Sequence, residues 1–546
     1  MKRILFLTAI ILISVGLHAQ SLKQGYDHYS NQRYNTAENF FHTALKQDAN
    51  NAESWYALSR TYLAQGDVQK AKDSLMKAPS SIQQEPWFLV AYGNVLLNEN
   101  KNDSAAMLFN KAIDETRKKD ASILAAIADA HINAPNGDAN YAIEMLQPAM
   151  KRDKKNGNLY VLQGNAYRKL HNGSEAYKAY QEAIAKDDKI AEAYFQLGEI
   201  FVTQKNPSMY LDYFNKAVAA DPEYAPAYYA LYEHYLYIEP ARAMDYFQQY
   251  STRAEKNLQD KYSYTDLLYL TKKYNEAINS AKELIASEGT NVQPRLYKLI
   301  AYSYQDLADS TTATSFMQQY FQHENDSNFI DKDFETMAGL YLSADNKDSA
   351  ISYYGKALTR SKDSAQTYNY YKTLAQLTKS MQDYAGEAHW LGKFYMGNDY
   401  VSNLDLFNWG LAAYRAEDYV QSDSVFAKYA TKYPEQGHGY YWRARSNAAI
   451  DTAMTMGIAV PHYQKLIEVI KDDLTEANKK WLVQAYGYLA AYETNTEKDY
   501  GEAIQYFEEL LKMDPENKDA KEYIALLERR LESSNNETDK NTNATN

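Results

Sequence analysis

The stretch AEAYFQLGEIFVTQKNPSMYLDYFNKAVAADP, residues 191–222, decides the fold of this chain. In its first half, Leu197 and Gly198 lie among apolar residues spaced three and four apart, the spacing of one helical face. In its second half, Phe214 and Ala217 follow the same spacing before Pro222 ends the pattern. A small residue lets two helices approach closely, and a large one fills the space between them. The stretch therefore predicts a pair of packed helices.

The same pattern recurs along nearly the whole chain, in steps of mostly about 33 to 38 residues. Near the start of each second helix, a residue that is usually alanine is followed four residues later by a bulky or apolar one. These starting positions are Ala37, Ala71, Ala105, Ala142, Ala176, Ala243, Ala277, Ala313, Ala350, Ala459 and Ala503, with Tyr210 and Ser422 in two further units. A repeat of this length with only helical patterns predicts a stack of helix pairs, each burying its apolar face on its neighbours.

Glycine and proline punctuate these units at fixed positions. Glycine lies twelve residues before the second-helix starting position at Gly25, Gly93, Gly164, Gly198 and Gly410. Proline lies twelve residues after it at Pro222, Pro434 and Pro515. On these residues the chain resembles the tetratricopeptide repeat, a helix–turn–helix unit of about 34 residues. The resemblance implies an all-α, right-handed superhelical solenoid of about fourteen such helix pairs over residues 20–515.

The register of the units is least regular around residues 375–503. The starting position there is ambiguous between Glu387 and Ala388, and the last step before residue 503 is about ten residues too long. Pro461 falls within a predicted second helix of this region, and Pro148 falls within an earlier one. Proline inside a helix is expected to kink or shorten it. We therefore expect the most unusual surface of the array in this region.

Both ends of the chain differ from the repeats. Lys2 and Arg3 precede an apolar run from Ile4 to Leu17, which is typical of a signal peptide over residues 1–19 with cleavage after Ala19. The run is shorter than the roughly 20 apolar residues of a transmembrane helix, although an uncleaved anchor is the alternative. Residues 516–533 have one apolar and one charged face, which predicts a capping helix. Residues 534–546 are almost entirely polar and are expected to be disordered.

Composition limits where the protein acts and what it binds. The chain contains no cysteine, which excludes disulfides, thiol catalysis, cysteine metal sites and the lipidated cysteine of bacterial lipoproteins. With the signal peptide, this predicts a periplasmic or secreted protein of a Gram-negative bacterium, without a membrane span in the mature chain. The formal net charge of −13 disfavours binding to nucleic acid phosphates.

No motif of a known catalytic centre is recognisable. No pair among the ten histidines has the HExxH spacing of a zinc site, and P-loop, G-x-S-x-G and glycine-rich dinucleotide motifs do not occur. Paired acids such as Glu508-Glu509 are typical of solvated helix faces. We therefore expect no enzyme activity, no cofactor and no metal.

Aromatic residues are abundant, with 52 tyrosines, 17 phenylalanines and six tryptophans. Tyr34 and Tyr419, at the start of second helices, are among those expected to pack in the core. In the repeats that the chain resembles, ligands bind along the concave surface formed by the first helices. Carried over unit by unit, the resemblance implies partner contacts at Tyr26, Tyr29, Tyr56, Arg60, Trp87, Asn94, Asn165, Arg168, Phe195, Glu199, Tyr229, Glu233, Tyr302, Phe407, Tyr414, Tyr441 and Arg445. Tyrosine, tryptophan and arginine commonly anchor protein interfaces.

One ligand of this repeat family can be tested against the sequence. Repeats that capture a C-terminal carboxylate use lysine and asparagine four residues apart. Asn94 and Asn165 match the asparagine, but Val90 and Val161 replace the lysine. The resemblance therefore does not extend to recognition of a chaperone-type acidic tail.

Seven triplets of aspartate, serine or threonine and a third residue resemble acceptors of O-linked glycans in one group of Gram-negative bacteria. They begin at Asp73, Asp103, Asp309, Asp348, Asp363, Asp423 and Asp451. Helix capping by the same residues is the interpretation that we favour, and it is expected at Asp103 and Asp348.

The sequence as a whole predicts a non-catalytic scaffold of the bacterial envelope. Its partner would be a protein or peptide bound along the aromatic-rich concave surface. A glycan-binding protein of the outer membrane or periplasm is the alternative, because aromatic faces also stack on sugar rings. The sequence does not identify the partner.

Overall fold

The computed structural model describes residues 17–398 and 400–543, and the side chains among them up to residue 533. These residues form 29 α-helices and no strands. In chain order the helices are α1 (residues 17–30), α2 (Tyr34–Gln47), α3 (Ala52–Ala64), α4 (Val68–Leu75), α5 (Pro86–Asn98), α6 (Asn102–Glu115), α7 (Ala121–Asn133), α8 (Ala139–Arg152), α9 (Gly157–Lys169), α10 (Gly173–Lys186), α11 (Ala191–Thr203), α12 (Pro207–Ala220), α13 (Ala225–Tyr235), α14 (Pro240–Arg253), α15 (Leu258–Leu270), α16 (Tyr274–Glu288), α17 (Arg295–Asp306), α18 (Ser310–His323), α19 (Asp331–Ser343), α20 (Lys347–Arg360), α21 (Ser364–Ser380), α22 (Tyr384–Gly397), α23 (Asn403–Arg415), α24 (Tyr419–Lys432), α25 (Gly437–Ile450), α26 (Val460–Ile470), α27 (Glu476–Tyr492), α28 (Tyr500–Met513) and α29 (Lys518–Asn543).

The helices from α1 to α28 follow one another as fourteen successive helix–turn–helix segments, and α29 follows the last of them. This confirms the all-α fold class and the number of pairs. The chain divides between Leu307 and Ala308 into two compact units, an N-terminal unit that ends with α17 and a C-terminal unit that begins with α18. Each unit has its own buried apolar residues, which come from first and second helices alike.

The glycines of the first helices allow the close approach that the sequence predicts. A Cβ added at Gly93 would lie 2.6 Å from the ring of Phe109, and one added at Gly198 would lie 2.5 Å from the ring of Phe214. Both aromatic rings are fully buried. In these two pairs, therefore, the glycine makes room for the aromatic residue of the second helix, four residues after its starting position.

The turns within the pairs share a conformation that the sequence analysis did not predict. In many of them one residue of the turn adopts a positive φ, and in part of these the next residue caps the second helix with its side chain. At His171 φ is 56°, and Asn172 then accepts a hydrogen bond from the backbone of Glu175. Lys205-Asn206, Gln382-Asp383, Glu417-Asp418 and Lys498-Asp499 repeat this arrangement. The capping residue satisfies a backbone N–H group that the helix leaves free.

The two prolines behave differently from the expectation. Pro148 lies inside α8, which nevertheless runs unshortened over 14 residues. Pro461 is the second residue of α26, because this helix begins only at Val460, after the predicted starting position Ala459. Proline is well tolerated there, since the first N–H groups of a helix have no intrahelical partner.

The irregular register between residues 375 and 503 has a structural cause. Helices α21 and α27 are 17 residues long, and a π-helical segment, Glu493–Glu497, follows α27. In α22, the fourth residue is Glu387, so a glutamate occupies the place that most units give to alanine. Its side chain is buried and forms an ion pair with Lys379, with 3.3 Å between Oε1 and Nζ.

The capping helix is longer than predicted. Ala520 and Leu527 of α29 are buried, and the ring of Tyr523 stacks on Phe507 of α28 at 5.6 Å. The helical backbone continues to Asn543, ten residues beyond the predicted end and through most of the segment expected to be disordered. Residues 544–546, and residues 1–16 of the predicted signal peptide, lie outside the described residues.

The aspartates of the seven triplets have structural roles at most positions. Asp309 and Asp363 cap α18 and α21, and Asp451 accepts hydrogen bonds from three backbone N–H groups of the following loop. Asp103 and Asp348 are not the capping residues expected, because each lies inside the first turn of its helix. A carboxylate in the first turn still interacts favourably with the helix dipole.

Candidate binding surface

Five residues near the start of the chain form what we call the N-terminal cluster: Tyr29, Tyr34, Tyr56, Arg60 and Trp87. The rings of Tyr29 and Tyr34 meet edge to face at 5.3 Å, and those of Tyr56 and Trp87 lie 4.9 Å apart. The guanidinium of Arg60 lies 4.2 Å from the centre of the Tyr29 ring. Because Tyr56 and Arg60 are four residues apart on α3, they share one helical face. The cluster thus connects the first helices of three successive pairs.

Asp129 of α7 neutralises the arginine of this cluster. Arg60 donates from Nε to Asp129 Oδ2 at 2.7 Å and from Nη2 to Oδ1 at 2.9 Å, a bidentate ion pair. The side chain of Asp129 is 6% exposed and that of Arg60 is 22% exposed. Such two-bond pairs are strong and directional. The guanidinium is therefore committed to a residue of the chain itself.

Other predicted contact residues of the N-terminal unit also bond within the chain. Asn165 donates to Glu192 at 3.1 Å and accepts from the hydroxyl of Tyr180 at 2.6 Å. Arg168 donates to Gln196 of the next first helix. Burial raises the pKa of the Glu192 carboxyl above its ordinary value, and the hydrogen bond from Asn165 partly opposes this. These polar atoms already form hydrogen bonds within the chain, so new bonds to a partner would contribute less to the binding free energy.

Further polar contacts join parts of the N-terminal unit that are distant in sequence. Arg33, in the turn before α2, forms a 2.7 Å ion pair with Glu223. Glu255 accepts hydrogen bonds from the backbone N–H of Thr36 at 2.8 Å and from the side chain of Asn35 at 2.9 Å. The start of α2 is thus held by residues that follow α12 and α14.

The C-terminal unit repeats the same constellation, which we call the C-terminal cluster: Tyr414, Tyr419, Tyr441, Arg445 and Trp481. The first four follow one another at the same spacing as Tyr29, Tyr34, Tyr56 and Arg60. Tyr414 and Tyr419 meet edge to face at 5.3 Å, and Tyr441 stacks on Trp481 at 4.6 Å. The guanidinium of Arg445 lies 5.0 Å from the centre of the Tyr414 ring.

The arginine of the C-terminal cluster has aromatic neighbours and no acidic one. Its guanidinium also lies 4.9 Å from the Trp442 ring and 5.7 Å from the Tyr441 ring. Among the residues that the structure describes, Arg445 forms no hydrogen bond and has no carboxylate within 4.0 Å, although its nitrogens reach solvent. Aromatic faces attract a cation but do not neutralise it. The charge of Arg445 is therefore available to a ligand.

The seventeen predicted contact residues differ in accessibility. Tyr56, Asn94 and Tyr441 are 4%, 5% and 8% exposed, so their side chains pack inside the protein and do not form open surface. Glu233 is exposed. The others are half-buried: Tyr26, Tyr29, Arg60, Trp87, Asn165, Arg168, Phe195, Glu199, Tyr229, Tyr302, Phe407, Tyr414 and Arg445. The structure brings Tyr29, Tyr56, Arg60 and Trp87 together at one end of the chain, and Tyr414, Tyr441 and Arg445 together near the other.

Sequence reasoning missed three residues that shape these clusters. Asp129 gave no signal, because its partner Arg60 lies two pairs earlier. Trp442 and Trp481 lie in the region of irregular register, where positions cannot be carried over from regular units. The shared spacing of three tyrosines and an arginine was present in the sequence and could have revealed the second cluster.

The described residues contain no group of three or more histidine, aspartate and glutamate side chains that could hold a metal ion. None of the described helices is long and apolar enough to cross a membrane.

Comparison with protein families identifies the repeat in three stretches of the chain. One family model, described as tetratricopeptide repeat, matches residues 28–92, and a second with the same description matches residues 161–225 and 497–534. The first stretch contains all five residues of the N-terminal cluster. A search of curated proteins found no match to the chain.

Solved structures of other repeat proteins are similar to parts of the chain. The C-terminal part of a TPR repeat-containing protein from Cytophaga hutchinsonii is 28% identical, covers 48% of this chain and 98% of its own length, and has a TM-score of 0.29. A tetratricopeptide repeat protein from Parabacteroides merdae is 17% identical, with coverages of 46% and 96% and a TM-score of 0.29. PilF from Pseudomonas aeruginosa is 17% identical, with coverages of 40% and 95% and a TM-score of 0.31. The assignment of the repeat therefore depends on the family models and not on these structures.

Proposed function

Because the chain contains tetratricopeptide repeats, we propose that it is a non-catalytic scaffold that binds a protein or peptide partner on the C-terminal cluster. The observation that carries this proposal is the difference between the two arginines. Arg60 is paired with Asp129, whereas Arg445 lies over three aromatic rings with no acidic partner among the described residues. Aromatic residues around an arginine are the usual composition of an interface hot spot.

The surroundings of the C-terminal cluster extend this surface along three first helices. The half-buried Phe407 of α23 meets the ring of His438 at 5.7 Å, and His438 meets Trp481 of α27 at 4.9 Å. His438 and Gln484 are exposed. The tyrosine and tryptophan rings can contact a polypeptide through apolar faces while keeping their polar atoms in reach of water.

The location that we propose is the periplasm or the outside of a Gram-negative cell. The charged start and apolar run of residues 1–19 support export. The absence of cysteine from the sequence supports a protein that is not a lipoprotein. Expression of the full chain in a Gram-negative host, followed by mass spectrometry of the periplasmic protein, is expected to give a mature form beginning at Gln20. Retention of residue 1 in the membrane fraction would contradict export with cleavage.

Affinity capture from an envelope extract tests the binding function. The mature chain is expected to retain a defined protein, and the double variant Trp442→Ala/Trp481→Ala to retain much less of it. The matched control is Trp87→Ala, which removes a ring from the N-terminal cluster. This control is expected to capture the partner as the wild-type chain does, with circular dichroism confirming that all three proteins stay helical.

Two outcomes would redirect the proposal. Retention of polysaccharide without protein would favour the glycan-binding alternative. Loss of capture in Trp87→Ala, with normal capture in the double variant, would place binding on the N-terminal cluster instead.

A further inference from the structure

The N-terminal cluster shows what kind of group binds an arginine that lies over tyrosine rings. In the N-terminal cluster, Asp129 approaches Arg60 from the first helix two pairs further along and receives two hydrogen bonds. Asn133 donates a third bond to the same carboxylate at 2.9 Å. A half-buried guanidinium is therefore satisfied there by an aspartate carried on a helix.

The C-terminal cluster has the same arrangement of three tyrosines and an arginine, but the carboxylate is missing from the corresponding position. Asp129 is the ninth residue of α7, whereas the corresponding helix two pairs after α25 is α29, whose ninth residue is Leu526. The carboxylate of Asp423 is already engaged, because it receives hydrogen bonds from Arg443 at 2.8 Å and Asn447 at 2.8 Å. The corresponding position of α29 therefore supplies no acid to Arg445 in the way that α7 supplies one to Arg60.

The group that would pair with Arg445 is a carboxylate. The planar fork of arginine matches a carboxylate through two parallel hydrogen bonds, and it can bind that carboxylate while stacked on aromatic rings. A half-buried charge without a partner has lost part of its hydration, so a carboxylate that arrives with a ligand recovers more energy than it would from an exposed arginine.

We propose that Arg445 binds an aspartate or glutamate side chain of a protein partner, in the way that Arg60 binds Asp129. The proposal rests on the peptide-binding function proposed above and names the group that the C-terminal cluster recognises. It differs from the capture of a chain-terminal carboxylate, for which the lysine positions are occupied by Val90 and Val161. The partner's residues beside the acid contact the rings of Trp442 and Trp481.

Selection from a peptide library tests the proposal with the complete mature chain. The probe is a random 12-residue library displayed on phage between two fixed segments, so that no peptide offers a free C-terminus. Selected sequences are then synthesised with acetylated and amidated ends and titrated by tryptophan fluorescence. We expect them to share an aspartate or glutamate next to apolar residues. Its exchange for asparagine or glutamine is expected to weaken binding about tenfold or more, and added salt to weaken the acidic peptide preferentially.

Variants of neighbouring arginines assign the contact. Arg445→Gln is expected to lose the same factor of about ten for the acidic peptide and to bind the amide peptide as the wild type does. Arg445→Lys keeps the charge but not the planar fork, so an intermediate affinity is expected. Arg443→Gln is the matched control, because Arg443 is half-buried on the same helix and already paired with Asp423. This control is expected to bind the acidic peptide normally.

The outcomes separate this inference from the function on which it rests. Selected peptides without a shared acid, or equal binding by Arg445→Gln and the wild-type chain, would overturn the role of Arg445 and leave a peptide-binding scaffold. The same holds if Arg443→Gln loses as much affinity as Arg445→Gln. Selection of no peptide at all would overturn both proposals. Binding only by peptides with a free C-terminus would replace the side chain with a terminal carboxylate.

Discussion

The N-terminal and C-terminal clusters share their frame and differ in how the arginine is satisfied. In both, two tyrosines meet edge to face at 5.3 Å, and an arginine lies over the first of them. Arg60 then forms a bidentate ion pair with Asp129, whereas Arg445 lies over aromatic rings and forms no ion pair among the described residues. One carboxylate, two pairs away, thus neutralises the arginine of one cluster, while the arginine of the other forms no ion pair among the described residues.

The comparison shows that the position of an arginine in the repeat does not determine whether its charge is neutralised. Residues at equivalent positions of the first helices were predicted together as partner contacts. The fate of each depends on whether a later unit supplies a complementary group. The charge of such an arginine is therefore most available where no later unit supplies a carboxylate.

The largest expected effect comes from removing the carboxylate that separates the two clusters. Asp129→Ala is expected to destabilise the packing of α3 and α7 by about 3 kcal/mol, because it leaves the charge of Arg60 half-buried and unpaired. Hydrogen exchange of the α3 amides in the full chain measures this as a loss of protection.

The control for this prediction is the corresponding change in the C-terminal cluster. Arg445→Met removes a charge that has no acidic partner, so it is expected to change the protection of α25 by less than about 1 kcal/mol. Replacing both partners of the N-terminal pair, as Arg60→Met/Asp129→Leu, is expected to recover most of the loss. Equal losses in Asp129→Ala and Arg445→Met would show that the ion pair does not distinguish the clusters.

A second prediction tests whether the close contact between a first-helix glycine and a second-helix phenylalanine contributes equally to stability near the two clusters. A Cβ added at Gly410 would lie 2.6 Å from the ring of Phe426, and one added at Gly25 would overlap the ring of Phe41. Gly25→Ala and Gly410→Ala are each expected to destabilise their pair by about 2 kcal/mol through overpacking. Hydrogen exchange of α2 and α24 measures the two losses.

Gly339→Ala is the matched control in a first helix without such a contact. An added Cβ at Gly339 of α19 has no other heavy atom within 4 Å. Alanine is therefore expected to stabilise α19 by up to about 1 kcal/mol, because glycine is the poorer helix former. A loss at Gly339 as large as that at Gly25 would contradict the close-approach explanation.

The smallest effect concerns Glu192, which lies near Arg60 and has no counterpart in the C-terminal cluster. Burial raises the pKa of its carboxyl above the ordinary 4.5, so the folded chain binds this proton more tightly than the unfolded chain. The resulting stabilisation is complete below pH 4.5 and is lost as the pH rises through the raised pKa. Glu192→Gln is therefore expected to stabilise the N-terminal unit at pH 7 and to have less effect at pH 4.5.

Denaturant titration at the two pH values measures this difference in the free energy of unfolding. The exposed Glu233→Gln serves as the control and is expected to show little difference between them. A gain in Glu192→Gln that is the same at both pH values would show that the charge of Glu192 is not the cause.

Much of the fold was predictable because its determinants are local. The apolar spacing of residues 191–222 predicted α11 and α12, and the glycine at Gly198 predicted the contact with Phe214. The capped left-handed turns were not predicted, since residues such as His171 and Lys205 do not favour positive φ by themselves. The turn and its capping asparagine impose that conformation.

The candidate site was predictable only in part. The family resemblance named Tyr414, Tyr441 and Arg445, and the structure brings them together. It also named Tyr56 and Asn94, which are buried. Burial depends on which side chains of neighbouring pairs fill the same space, and the repeat positions do not contain this information.

The sequence by itself determined the helices, their pairing and their number, because helical periodicity and small-to-large packing act between residues that are close along the chain. Only the tertiary structure decided which arginine is neutralised. Asp129 reaches Arg60 because stacking places the first helices of separate pairs side by side. At Arg445, near the end of the array, the same stacking supplies aromatic rings and no acid among the described residues.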